Sequence, residues 1–235
     1  MSENRKPLVF IISAPSGSGK STLTNEILKL VPNLVFSISY TTRALRGSEQ
    51  NGKQYYFVTV EEFERMVRDG EFLEHANVHG NCYGTSRRFL REAGKSGHDL
   101  LLDIDVQGAA QIKKNLTDAI SIFVLPPDRT TLEWRLRNRG EDREDVIQRR
   151  LLDATREIQE YDKYDYVLIN DQLVKSIQRL QAIVLSERLR REERALSEDE
   201  CATVARAERL RLANLKERVQ PILESFRNPT ISASS

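Results

Sequence analysis

The stretch Leu8-Val9-Phe10-Ile11-Ile12-Ser13-Ala14-Pro15-Ser16-Gly17-Ser18-Gly19-Lys20-Ser21-Thr22-Leu23 passes from an apolar run through a Gly/Ser-rich turn into a helical pattern. Residues 8–12 are continuously apolar and rich in β-branched types, which suits a strand buried on both faces of a parallel sheet. Over 21–30, Leu23, Ile27 and Leu30 share one helix face, and Pro32 ends the run. Between them, Ala14-Pro15-Ser16-Gly17-Ser18-Gly19-Lys20-Ser21 fits a phosphate-binding P-loop, with Ala14 where the strict pattern has Gly. Its glycines let backbone N–H groups turn inward around phosphate oxygens, and the helix N-terminus adds positive potential. In that role Lys20 reaches the β- and γ-phosphates, and the Ser21 hydroxyl joins a Mg²⁺ shell. An ordinary βα turn is the plain alternative, but the strand before and the helix after favour the P-loop. Residues expected to hold ATP are therefore Ala14, Pro15, Ser16, Gly17, Ser18, Gly19, Lys20, Ser21 and Thr22.

Outward from that segment the alternation continues. Residues 100–104, 120–125 and 166–169 are further buried-strand runs, with helical patterns at about 107–115, 131–137 and 145–161. This predicts an α/β fold, a P-loop NTPase-type parallel sheet flanked by helices. The stretch 36–86 breaks the rhythm. It has alternating segments at 35–39 and 55–58, turn signals at Gly47 and Asn51-Gly52, and one helix at about 60–69. It reads as an inserted mixed α/β lobe. From residue 175 the chain is helix-forming, with acids and bases alternating. Leu212, Leu215, Val219, Ile222 and Phe226 step by 3, 4, 3 and 4, one apolar helix stripe. Pro221 is expected to kink that stripe or to begin a new segment. The expected organisation is a domain over 1–186, with core 1–34 and 99–186, lobe 35–98 and a helical lid at about 135–160. A charged helical tail follows at 187–235.

Composition limits the partners. Across 235 residues, 36 Lys and Arg face 35 Asp and Glu, a formal charge of +1, so nucleic-acid binding by bulk charge is not expected. The run 8–12 is too short for a signal-peptide core or a membrane span. Cys82 and Cys201 lie far apart without CxxC or Cys/His ligand spacing, which fits a reducing compartment and no structural zinc site. A cytoplasmic protein with no membrane partner is expected.

A P-loop signals a nucleoside triphosphate without saying what is done with it. Hydrolysis coupled to motion, a GTPase switch and transfer to a small acceptor all remain. Downstream, Ser37-Ile38-Ser39-Tyr40-Thr41-Thr42-Arg43-Ala44-Leu45-Arg46 sets two arginines three apart. Asn51-Gly52-Lys53-Gln54-Tyr55, Glu71-Phe72-Leu73-Glu74 and Asn81-Cys82-Tyr83-Gly84-Thr85-Ser86 follow. Two guanidinium forks and two phenol hydroxyls can hold a phosphate dianion. Alone, the arginine pair also fits a solvated loop.

Taken in order, the P-loop, these segments and Leu102-Asp103-Ile104-Asp105-Val106-Gln107-Gly108 resemble the guanylate kinase family over about 7–182. The resemblance implies Mg²⁺-dependent transfer of the ATP γ-phosphoryl group to GMP, and to dGMP, with Mg²⁺ as the cofactor. It makes the inserted lobe the GMP-binding part. Arg43, Arg46, Tyr55 and Tyr83 would hold the GMP phosphate. Glu74 and Asp105 would accept from guanine N1–H and N2–H, while Ser39 and Thr85 would donate to O6. Such a site rejects the wrong base because its polar groups would be left unpaired. Asp103 would sit near the phosphates, orienting Mg²⁺ waters or a GMP-binding arginine; capping the following helix is its structural alternative. Spacing within the family's lid points to Arg139 and Arg150 as the arginines that close on the transferring group, leaving their neighbours in solvent. Lys20, Arg46, Arg139 and Arg150 are the expected catalytic set. Asn170 and Asp171 match the position that lines the adenine of ATP.

Scaffold modules with this fold bind phosphopeptides instead, and loss of the P-loop lysine or lid arginines would mark them. Here Lys20, Arg139 and Arg150 are all present. A kinase acting on a phosphorylated sugar is opposed by Ser39, Glu74, Thr85 and Asp105. For the tail two outcomes stand open. The stripe folds back onto its own domain, or it pairs with a second subunit as a homo-oligomer.

Overall fold

The computed structural model describes residues 6–78, 80–138 and 143–227. In chain order they form β1 (Val9–Ser13), α1 (Lys20–Leu30), β2 (Leu34–Phe36), β3 (Tyr40–Thr41), β4 (Tyr56–Phe57), α2 (Val60–Arg68), β5 (Phe72–Val78), β6 (Asn81–Ser86) and α3 (Arg87–Ser96). Then come β7 (Asp99–Asp103), α4 (Val106–Asn115), β8 (Ile120–Leu125), α5 (Arg129–Asn138), α6 (Glu144–Ile158) and β9 (Tyr166–Ile169). The last elements are α7 (Leu173–Leu189), α8 (Glu198–Glu208) and α9 (Lys216–Arg227). The chain divides into two compact units, one of 1–12 with 31–121, the other of 13–30 with 122–235.

In the first unit β7 lies between β2 and β1, all parallel, with Val9 opposite Leu100 and Leu34 opposite Asp99. Phe10, Ile11 and Ile12 and all three leucines of β7 are fully buried, as their unbroken apolar runs require. Buried Asp99 accepts the Leu8 N–H at 2.8 Å. The start of the segment 35–39, assigned by alternation to the lobe, is corrected: Leu34–Phe36 is β2 and pairs with β7, whereas Ser39 O accepts the Tyr56 N–H of β4 at 2.9 Å. A short alternating run does not separate a half-buried strand from the end of a fully buried one.

The lobe is a four-stranded sheet in the order β4-β3-β6-β5. β3 pairs parallel with β4 and antiparallel with β6, and β5 with β6 is antiparallel. Helix α2 starts where Thr59 accepts the Glu62 N–H at 3.2 Å, and it buries Phe63 and Met66. Phe63 stacks on Phe72 with centroids 4.7 Å apart. Gly84 gives them space, since a Cβ there would lie 2.9 Å from the Phe72 ring. A second lobe helix, α3, is framed by the Ser86 cap and by Gly97 at φ 68°. Both are ordinary helix end signals that mark it in the sequence as well.

The second unit holds β8 parallel to β9, with Phe123 opposite Val167. Helix α1 packs on α7, α8 on α7, and α5 on α6. The tail belongs to this unit. Helix α9 packs on α5 and α6, and Leu215, Val219, Ile222, Leu223 and Phe226 are buried. The stripe is thus packed within its own chain, the first of the two outcomes left open by the sequence. Helix α9 also runs on through Pro221 without restarting. Pro221 and Glu217, whose carbonyl loses its partner, are both exposed to water. Replacing Ile222 by Ala is expected to destabilise the chain by about 2–4 kcal/mol. Urea denaturation checks this, and an unchanged midpoint would show that the stripe is not part of the folded core.

Candidate active site

The loop expected to bind phosphate, within 14–22, lies in the second unit. Gly17 and Gly19 both have φ 89°, in the left-handed region. Neither has room for a side chain. A Cβ on Gly17 would lie 2.9 Å from Leu136 Cδ2 and 3.0 Å from Leu132 Cδ1, while one on Gly19 would overlap Asn170 Nδ2. Pro15 O accepts the Ser18 N–H at 3.1 Å, closing the turn, and Gly19 O accepts Leu23 N–H at 3.2 Å to start α1. No acid stands in the first turn of α1, so the positive helix end is not neutralised locally. Lys20 opens that helix, and exposed Ser21 and Thr22 follow.

Arg150, on α6, donates to Ser16 Oγ from Nε at 3.2 Å and Nη2 at 2.6 Å, so one expected lid arginine already reaches the loop. Arg139 lies outside the described residues. Arg135, expected in solvent, is instead half-buried and donates to Asn170 O at 3.0 Å; burial lowers its pKa. Arg137 is held by Glu133 and Glu144. Asn170 was expected against adenine. It is buried behind the loop, and its amide donates to Ser18 O at 2.7 Å. Asp171 accepts from Arg179 at 2.8 Å and is tied to α7. The sequence pattern finds these residues but cannot tell a brace from a ligand contact.

The base- and phosphate-reading candidates lie within the first unit. A register shift in β5 between Phe72 and Glu74 turns consecutive residues Leu73 and Glu74 both inward. Glu74 Oε1 accepts the Thr85 hydroxyl at 2.6 Å. A hydroxyl carries one proton, so a Thr85 that donates to Glu74 is not at the same moment a donor to guanine O6. Gly108 makes room for the carboxylate, since a Cβ there would lie 2.6 Å from Glu74 Oε2. Burial pushes the Glu74 pKa up to about 7, against the lowering effect of the Thr85 hydrogen bond, and Asp105 raises it further. Asp105 itself caps α4 by accepting the Gly108 N–H at 2.8 Å. The cap is thus Asp105 and not Asp103, which sits half-buried at the end of β7. Ser39 is buried in the same unit.

Arg43 is buried, and its two guanidinium ends meet Glu49 at 3.0 and 2.8 Å. The Glu49 hydrogen bond holds the Arg43 pKa up, with a further contribution from Tyr83, and Arg43 in turn lowers that of Glu49. The Tyr55 ring centroid lies 5.4 Å from the guanidinium carbon and 5.8 Å from the Tyr83 ring. Arg43, Tyr55 and Tyr83 are therefore brought together, while exposed Arg46 is tied through its N–H to Glu49 at 2.8 Å. Glu49 escaped the sequence reading. Its signal was the spacing Arg43, Arg46, Glu49, which lets one carboxylate reach both residues.

The guanylate kinase family model matches residues 4–187. The chain is 54% identical to the guanylate kinase of Koribacter versatilis (strain Ellin345) over 225 residues, covering 94% of this chain and 97% of that one. It is 50% identical over 186 residues to that of Geobacter metallireducens, covering 79% of this chain and 92% of the relative. The solved guanylate kinase from Anaplasma phagocytophilum superposes with a TM-score of 0.62 at 36% identity, over 77% of this chain and 86% of that one. A P-loop backed by Asn170, a buried carboxylate at Glu74 and this similarity along most of the sequence place the chain in the guanylate kinase family.

Proposed function

We propose how this guanylate kinase moves the ATP γ-phosphoryl group to GMP, and which residues take part. ATP phosphates lie in the loop 14–22 under the N-terminus of α1, with Lys20 and Arg150 facing the transferring group. Arg139 is proposed as the second lid arginine on the strength of its spacing. The acceptor phosphate is held by Arg43, Arg46, Tyr55 and Tyr83, and guanine by Glu74, with Ser39, Thr85 and Asp105 around it. Asp103 is assigned to the phosphate end of that set. Asn170 acts by holding the loop.

The observation that carries the reading is the buried Glu74–Thr85 pair. An ionised Glu74 accepts from N1–H and N2–H of guanine, whereas adenine offers no donor at N1. The GMP phosphate is largely a dianion near neutral pH, so its oxygen attacks without a protein base. Lys20 and the arginines then stabilise charge as it spreads over the transferring group. Ser21 offers a hard oxygen, exposed at the start of α1, which suits Mg²⁺, an ion that keeps waters and takes few protein ligands. When bound, Mg²⁺ neutralises charge on the β- and γ-phosphates. By membership of the same family, dGMP is proposed as a second acceptor. Cys82 and Cys201 are unbridged thiols, in keeping with the proposed cytoplasmic setting. No described helix is long and apolar enough to cross a membrane.

Replacing Lys20 by Ala is expected to lower kcat by about 10²–10³-fold while the circular dichroism spectrum stays unchanged. Near-normal kcat in a coupled ADP-release assay would overturn the P-loop assignment. Glu74→Gln is expected to raise KM for GMP about 10- to 100-fold and to erode preference over AMP, because an amide presents a donor to guanine's donors. The sign of the pH effect follows from the raised Glu74 pKa of about 7. Below it the carboxyl is neutral and a poor acceptor, so KM for GMP should fall as pH rises through about 7. The Glu74→Gln variant should lack that step; an identical pH profile in both proteins would remove Glu74 from base reading.

A further inference from the structure

We propose that the C-terminal segment 210–227 braces the ATP half of the site and that Ser225 is its positioning residue, a reading that rests on the P-loop assignment above. All the observations behind it lie within the second unit. The segment begins by lining the edge of β9 turned away from β8. Val167 N–H donates to Leu210 O at 2.9 Å, and Leu212 N–H donates to Asp165 O at 3.2 Å, as an antiparallel bridge between Tyr166 and Arg211. Arg211 stands 4.4 Å from the Tyr166 ring centroid and donates to Glu187 at 2.8 Å; the same carboxylate accepts the Tyr166 hydroxyl. These contacts fix the point from which α9 starts.

Helix α9 then lies against both α5 and α6 and buries Val219, Ile222, Leu223 and Phe226. Near its end, Ser225 Oγ donates to Ile222 O at 2.6 Å and accepts the Arg129 N–H at 3.1 Å. Arg129 is the first residue of α5, where backbone N–H groups have no partner inside the helix. The tail therefore holds one end of α5 by a directed bond. From there the loop is reached by two routes. Helix α5 presents Leu132 and Leu136 to Gly17, and α6 presents Arg150 to Ser16. Close-packed side chains transmit a displacement of α9 into both helices. The seating of the P-loop, and with it affinity for ATP, depends on a segment that touches no substrate.

The test uses a chain ending at residue 215, which keeps the bridge to β9 and removes α9, beside full-length Ser225→Ala and Ser225→Thr. A folded truncation should show KM for ATP raised about tenfold, with KM for GMP within about twofold of the full chain. Ser225→Ala should raise KM for ATP about threefold at a nearly unchanged melting temperature, and Ser225→Thr should restore it. Equal rises in both KM values, or an unchanged KM for ATP in a folded truncation, would overturn the brace. If the truncation fails to fold, Ser225→Ala decides: an unchanged KM for ATP overturns the proposal whether or not stability falls. Full activity in Lys20→Ala would instead sink the P-loop assignment, independently of the tail variants.

Discussion

Backbone N–H groups can surround a phosphate only where the chain bends through conformations closed to most L-residues. Gly17 and Gly19 supply that bend at φ 89°, and the space a side chain would need is already filled by Leu132, Leu136 and Asn170. The glycines are thus required twice, for their dihedral angles and for close approach. Asn170 takes the Ser18 carbonyl, and α1 begins at once with Lys20 and no acid in its first turn. The loop and the start of α1 are packed against side chains that come from much later in the chain.

The first unit solves a different problem. Glu74 is buried, and removing a carboxylate from water costs more than one hydroxyl can return, which is why its pKa sits near 7 and not near 4.5. The irregularity in β5 turns it inward, Thr85 gives one hydrogen bond, and Gly108 leaves it room. A group raised to about 7 lies close to half charged at neutral pH, and a partner with two adjacent donors is the kind of ligand that would favour its charged form, the basis of the selectivity proposed above. Arg43 is handled in the opposite way, its charge kept and matched by Glu49 and flanked by aromatic rings.

Much of this was legible in the sequence. The runs of Leu8 to Ile12, Leu100 to Leu102 and Ile120 to Leu125 have one reading, strands buried on both faces, and they became β1, β7 and β8. The P-loop was legible because its glycine and lysine spacing is set by backbone geometry between a strand and a helix. The candidates Arg43, Tyr55 and Tyr83 do converge, and so do Glu74 and Thr85. What escaped were the pairings. Residues 35 and 36 read as the start of the lobe and belong to β2, Glu49 gave no signal beyond its spacing, and Arg135 looked like its solvated neighbours until burial separated it.

Local chemistry, then, determined which segments are strands and helices, where phosphate can bind and which side chains carry the donors and acceptors. These follow from periodicity, turn residues and functional groups, all of which act over a few residues. Only the tertiary structure decided that Asn170 bonds to the loop, that Thr85 donates its hydrogen bond to Glu74, that Asp105 and not Asp103 caps α4, and that α9 packs on α5 and α6 with Val219, Ile222, Leu223 and Phe226 buried. Each of these is a choice among partners of equal chemical merit. It is made by which side chains are brought within about 3 Å of one another across long stretches of chain, a distance that sequence spacing does not contain.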